Sequence, residues 1–179
     1  MRKILECIFA MMILVMSFLL LFYFAQYIVD EKTAAIKRNR GVTEAEVINT
    51  SYFKGYRVDF VYHINGIAHE ERAGVPSRGY IGEYYKVEYD TTKLSRVLLL
   101  TPEIFFKPEQ ETAFTNGVAS RVNTSGGRYP DVRFHYTVNG REYEREQNFY
   151  DVSAFKEGGV YPVEYLISEP RKGILRLPQ

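Results

Sequence analysis

Scarcity narrows this chain before any motif does. It holds a single cysteine, Cys7, so no disulfide can form within it. Tryptophan is absent, and histidine occurs three times, at His63, His69 and His135. Charge of neither sign prevails: 23 Lys and Arg stand against 22 Asp and Glu, which excludes a polybasic nucleic-acid binder. Gly (13) and Pro (7) are too few in 179 residues for a collagen-like or low-complexity chain.

What the chain does have is apolar sequence, unevenly placed. From Cys7 to Val29 there are 23 residues without a charge. A hydrocarbon core about 30 Å thick needs about 20 helical residues, so this run predicts a membrane-spanning anchor. The competing reading is a cleaved signal peptide, whose apolar region is about 7 to 15 residues long and ends in a small-x-small site. Here Ala25 is preceded two positions earlier by Tyr23. Tyr23 and Tyr27 are either interface anchors or bulky fillers. Arg2 and Lys3 precede the run, while Lys32, Lys37, Arg38 and Arg40 follow it, a count that points the globular part towards the cytoplasm. Asp30 and Glu31 come first after the run and argue the other way, with the basic cluster on a continuing helix that ends at Gly41.

The rest of the chain repeats itself. Val47 to Gly66 placed without a gap on Arg121 to Gly140 gives eight identities: Asn49/Asn123, Thr50/Thr124, Ser51/Ser125, Val58/Val132, Phe60/Phe134, Tyr62/Tyr136, Asn65/Asn139 and Gly66/Gly140. After a shift of two residues the match resumes, Gly82 to Tyr89 on Gly158 to Tyr165. In each copy apolar and polar residues alternate, as in Val58, Phe60, Tyr62 and Ile64 against Asp59, Val61, His63 and Asn65. Asn65-Gly66 and Asn139-Gly140 then tolerate positive φ, the signature of a two-residue hairpin that would set Tyr62 against His69 and Tyr136 against Tyr143.

The expected fold is therefore mainly β: an N-terminal transmembrane helix followed by two tandem antiparallel modules of about five strands each, barrel-like or curled meanders. Residues 1–40 form the anchor and juxtamembrane helix, 41–100 the first module, 101–114 a linker and 115–179 the second module. The fourth strand of the first module is expected at Arg96 to Leu100, with Ile104, Phe105 and Phe106 sealing a contact between modules or covering an edge. A unit of about 60 residues buries little core alone, so the modules should pack on each other or on a partner.

The string from Phe134 to Tyr143, with Gly158, Gly159 and Val163-Glu164-Tyr165, resembles a bacterial membrane-protein family catalogued as domain of unknown function 3592. That family has an aromatic-x-Tyr-x-Val-Asn-Gly-x-x-Tyr hairpin and a later Gly-x-x-Val-x-Val-x-Tyr strand beside transmembrane helices. The chain departs from it in having no second hydrophobic run after the modules, and in following Tyr165 with Leu-Ile-Ser-Glu-Pro. The resemblance implies a small extracytoplasmic or membrane-flanking β domain and no particular activity. On its strength we expect the modules outside the cytoplasm, against the charge count.

Catalytic constellations are not evident. No Gly-x-Ser-x-Gly elbow occurs, Cys7 lies in the apolar run, and His69-Glu70-Glu71 lacks the spacing of a helical zinc site. Thr124 to Arg128 lacks the lysine of a phosphate-binding loop and reads as a turn, as do Asn49-Thr50-Ser51 and Asn123-Thr124-Ser125. From Gly41 onward 17 Lys and Arg face 19 Asp and Glu, and Arg141 to Glu146 alternates in sign as a solvated strand face with cross-strand pairs. Thirteen tyrosines lie beyond the apolar run, filling strand positions or forming a binding face.

These readings converge on a non-catalytic, single-pass cell-membrane protein that works by protein contact or as a structural envelope component. Tyr80, Tyr84 and Tyr150 and the turns Asn65-Gly66 and Asn139-Gly140 are the candidate contact residues. Lys37, Arg38 and Arg40 are candidates for lipid headgroups. No catalytic residue, metal, cofactor, nucleic acid or small-molecule substrate is expected; the partners are membrane lipid and a protein. The alternative is an accessory or hydrolytic domain for envelope polymers, with Glu70, Glu71 or Asp59 as carboxylates in a pocket shared with His63.

Overall fold

The computed structural model describes residues 2–75, 77–93, 98–124 and 129–177. It comprises a helix α1 (Arg2–Arg38) and ten strands: β1 (Arg40–Tyr52), β2 (Tyr56–Ile64), β3 (Ile67–Val75), β4 (Tyr84–Asp90), β5 (Leu98–Phe105), β6 (Thr112–Asn123), β7 (Asp131–Val138), β8 (Arg141–Asn148), β9 (Val160–Leu166) and β10 (Ile174–Leu175). Residues 1–41 with 88–99 form one compact unit, and 42–87 with 100–179 a second.

Helix α1 is 37 residues long, about 55 Å at 1.5 Å per residue. Its large apolar side chains from Phe9 to Phe24 are 54–72% exposed on every side, a surface that water does not tolerate at this extent. Met11–Arg38 is long and apolar enough to cross a membrane by length and composition, a property that a signal sequence shares. In the same unit Arg40 forks onto Glu88 at 2.6 Å, and the Thr91 amide and hydroxyl both donate to the Asn39 carbonyl.

The ten strands make two five-stranded antiparallel sheets of one topology, β3-β2-β1-β4-β5 and β8-β7-β6-β9-β10. In each copy the first strand is central. It takes the hairpin on one side and the fourth strand on the other, so neither sheet is a simple meander. The hairpins close as the Asn-Gly pairs require: Asn65 and Asn139 have φ of 52° and 51°, Gly66 and Gly140 of 80° and 77°. Tyr62 accordingly opposes His69 with stacked rings 5.2 Å apart, and Tyr136 opposes Tyr143 at 5.6 Å.

The alternation sets the core face. Val58, Phe60, Tyr62 and Ile64 of β2 are buried, as are Val132, Phe134, Tyr136 and Val138 of β7. In the second sheet these residues pack with Val152, Phe155, Tyr161, Val163 and Leu175. The Tyr136 hydroxyl donates to the Pro170 carbonyl at 2.6 Å and accepts the Gly173 amide at 2.9 Å. Gly173 permits this approach, since a Cβ there would fall 2.5 Å from the ring. Burial holds the Tyr136 phenol at about 12. Gln147 on β8 brackets β10: its amide donates to the Leu175 carbonyl and accepts the Leu175 N–H at 2.8 Å, joining the two outer strands of that sheet through a side chain.

Three expectations need correcting. The ungapped repeat alignment holds for the hairpins but slips on the central strands, where Val47 opposes Phe60 as Ala119 opposes Phe134. The Asn49/Asn123 match is therefore offset by two positions, because the β6–β7 connection is longer than the β1–β2 connection. Asn49-Thr50-Ser51, expected as a turn, is instead paired in β1, and each Asn bonds an Asp across the strands at 3.0 Å, Asn49 to Asp59 and Asn123 to Asp131. Secondly, β5 runs on through Phe105 and buries Ile104, so Pro102, Ile104 and Phe105 belong to the first sheet rather than to a linker. Thirdly, Arg145 and Gln147 on β8 are buried, so the alternating run Arg141 to Glu146 is not a wholly solvated face, although Arg133–Glu146 is one of the expected cross-strand pairs. Arg96, within the strand expected before Leu100, and Ser125 to Arg128 of the expected turn lie outside the described residues.

Candidate interaction site

On the outward face of the first sheet, residues alternate away from the core to form an open groove of about 500 Å³. Ala45 and Val47 of β1 point inward, which turns Glu44 and Glu46 outward into the groove. Val61 and His63 of β2 lie on one side and Tyr84 of β4 on the other. The Thr43 hydroxyl, donating to the His63 carbonyl at 2.9 Å, fixes one end.

Lys107 crosses this groove. A turn in which the Gln110 side chain accepts the Lys107 N–H and the Lys107 carbonyl accepts the Gln110 N–H aims the lysine back over the sheet. Its ammonium pairs with Glu44 and stands 5.0 Å from the centre of the Tyr84 ring and 5.8 Å from that of Phe105. Burial, then the neighbouring Glu46 carboxylate, raises the Tyr84 hydroxyl above its ordinary value. The arrangement is an ammonium cradle: two carboxylates supply charge, and two rings supply π-faces on which a cation sits with little loss of solvation.

A second polar cluster is buried where the two copies meet within the larger unit. Arg145 of β8 and Glu83, just before β4, are 2% and 0% exposed and 2.6 Å apart. The Tyr80 amide and the Tyr85 hydroxyl donate to the other Glu83 oxygen at 2.9 and 3.2 Å. The guanidinium Nε and Nη1 find no hydrogen-bond acceptor among the described residues. The Tyr80 ring lies under three guanidinium groups, those of Arg78, Arg145 and Arg171, at 5.3–5.6 Å. Burial, then the adjacent Glu83, pushes the Tyr85 phenol well up.

The residues singled out in the sequence do not gather on one surface. Tyr84 lines the groove, whereas Tyr80 is half-buried among arginines. Tyr150 is 54% exposed with its ring edge-on to Tyr129. Asn65-Gly66 and Asn139-Gly140 are exposed turn tips on separate sheets. Lys37 and Arg38 are exposed at the end of α1, while Arg40 is engaged by Glu88. Asp59 is tied to Arg72 and Asn49, and Glu70 and Glu71 are exposed on the edge strand β3, so the groove beside His63 holds Glu44 and Glu46 in place of those three acids.

Glu44 and Glu46 were legible as outward acids alternating with Ala45 and Val47, but nothing local marks Lys107 as their partner. The signal for Glu83 was its departure from the repeat, since Gly159 stands at the matching place in the second copy. Comparison with family models, curated proteins and solved structures finds no match to this chain.

Proposed function

We propose that this is a membrane-anchored, non-catalytic binding protein whose first sheet captures a basic side chain of a partner protein in the Tyr84 groove. The observation that carries the reading is Lys107 itself. An ammonium bound by Glu44 and stacked over Tyr84 and Phe105 is an internal stand-in for a partner's Lys or Arg. On this reading α1 is an uncleaved anchor, and the β copies lie outside the cytoplasm as in the bacterial family that the hairpins resemble. Glu44 is already engaged by Lys107, which favours holding a cation over moving a proton.

Pull-down from detergent extracts tests it. The full chain should recover a set of neighbours that the anchor alone does not, and Tyr84→Ala or Glu44→Gln/Glu46→Gln should deplete that set. Recovery of the same neighbours by the bare anchor would sink the proposal. The alternative of an accessory or hydrolytic domain for envelope polymers draws on the closeness of His63 to two carboxylates. Polymer turnover that Glu44→Gln or Glu46→Gln abolishes would establish it instead.

A further inference from the structure

The connection between β1 and β2 belongs to neither cluster described so far, and its composition is unusual. Tyr52 and Phe53 are 72% and 62% exposed, and Tyr56 is 38% exposed with its ring 5.1 Å from that of Tyr52. Lys54 and Gly55, at φ of 53° and 142°, turn the chain so that the Phe53 ring is flanked by the Lys54 ammonium at 5.7 Å and the Arg57 guanidinium at 5.6 Å. Beneath this tip is an open groove of about 430 Å³ whose lining includes Thr50, Ser51, Arg57 and Arg78 and no carboxylate. The nearby Asp59 is occupied by Arg72 and Asn49, and neither Arg57 nor Arg78 has a carboxylate partner among the described residues.

Two guanidinium groups, two hydroxyls and no acid make an anion site with the chemistry of a phosphate ester. Exposed rings beside those cations add a second requirement, because water disfavours the rings while phosphate favours the charges. An anionic phospholipid surface meets both, with rings at the headgroup level and cations on the phosphates. We propose that the Tyr52–Arg57 tip and Arg78 form a binding site for anionic phospholipid headgroups. The site belongs to the first copy alone, since the second has Asp131, bonded to Asn123, at the position of Arg57. It shares no residue with the Tyr84 groove, so either proposal can fail without the other.

Because the chain has no tryptophan, Phe53→Trp places a single reporter at the tip. The full chain in nonionic micelles should show a saturable, salt-sensitive blue shift as phosphatidylglycerol is added, and little change with phosphatidylcholine. Arg57→Gln/Arg78→Gln should weaken the response about thirtyfold, about fivefold for each charge removed. Arg57→Lys/Arg78→Lys should keep most of it, and Lys156→Gln, at an exposed position in the second copy, should leave it unchanged. An equal response to phosphatidylcholine, or one indifferent to the two arginines, overturns the proposal. Displacement of the lipid by glycerol phosphate at an equal concentration also overturns it and assigns the groove to free phosphate esters.

Discussion

The outward face of the first sheet carries Glu44, Glu46 and Tyr84 where the second carries Asn116, Val118 and Val160, although the Thr43 bond to the His63 carbonyl recurs as Thr115 to the Thr137 carbonyl. The first copy also displays Arg57 in an acid-free groove, while the second has Asp131 there. The second copy in turn invests its polar residues inward: Arg145 is buried against Glu83, and Gln147 is spent on Leu175. One topology thus serves two ends. The first copy keeps free chemistry on its surface, and the second supplies the ordered support, with Val152 and Phe155 enlarging its core.

The largest test of that division is the buried ion pair. Removing one partner by Arg145→Met leaves the buried Glu83 carboxylate without its counter-charge and should cost about 3–5 kcal/mol, whereas Arg145→Met with Glu83→Leu should recover most of the loss. Urea denaturation of the single and double variants gives both numbers, and a double variant as unstable as the single would deny the pair its bridging role. Next in size is Gly173→Ala, whose Cβ would strike the Tyr136 ring and should cost about 1–3 kcal/mol in the second copy only. The same ring gives a pH signature. The folded Tyr136 phenol titrates at about 12 against an ordinary 10.0, so stability is intact below pH 10 and falls as the unfolded chain loses the proton first. Thermal melts between pH 9 and 12 should follow that slope, and Tyr136→Phe should make it shallower, leaving the part that the raised Tyr85 phenol contributes.

Smaller effects test the likeness of the copies. Asn65→Ala and Asn139→Ala each force alanine into the left-handed region and should each cost about 1 kcal/mol; clearly unequal values would show that the two turns are loaded differently. Smallest is an acid effect confined to the first copy. The Arg72 guanidinium, aided by Asn49 and opposed by burial, holds Asp59 below its ordinary 3.8. Its contribution is therefore present above pH 3.8 and disappears as the pH falls through the lowered value. Amide exchange along β2 and β3 should quicken over that range, and Arg72→Gln should remove the dependence.

Much of this architecture was readable beforehand. An uncharged apolar run admits few structures, Asn-Gly between alternating strands fixes a hairpin, and the period of two decides which face is core. The remainder depended on pairings far apart in sequence. That Arg145 is buried follows from Glu83, 62 positions earlier, and the local pattern of alternating charges argued the opposite. The Asn-Thr-Ser identity was real in composition and misleading in register, because connections of different length shift a strand without changing its residues. Pro102 pointed to a linker, yet β5 is an edge strand, where a missing N–H does no harm. The Tyr84 groove escaped notice because its acids, two rings and lysine come from three separate strands and a turn.

The central position of β1 and β6 bears on how the chain is made. During synthesis β1 can pair with β2 at once, but its other flank stays open until β4 emerges some 30 residues later, roughly 2–6 seconds at ribosomal rates. β6 then waits in the same way for β9. Since β4 and β9 share Val-Glu-Tyr at Val87 to Tyr89 and Val163 to Tyr165, either could fill either vacancy. Vectorial emergence offers β4 to β1 before β6 exists, so the ribosome resolves an ambiguity that the two copies create. Refolding from denaturant lacks that order and should yield a fraction of chains with exchanged partners.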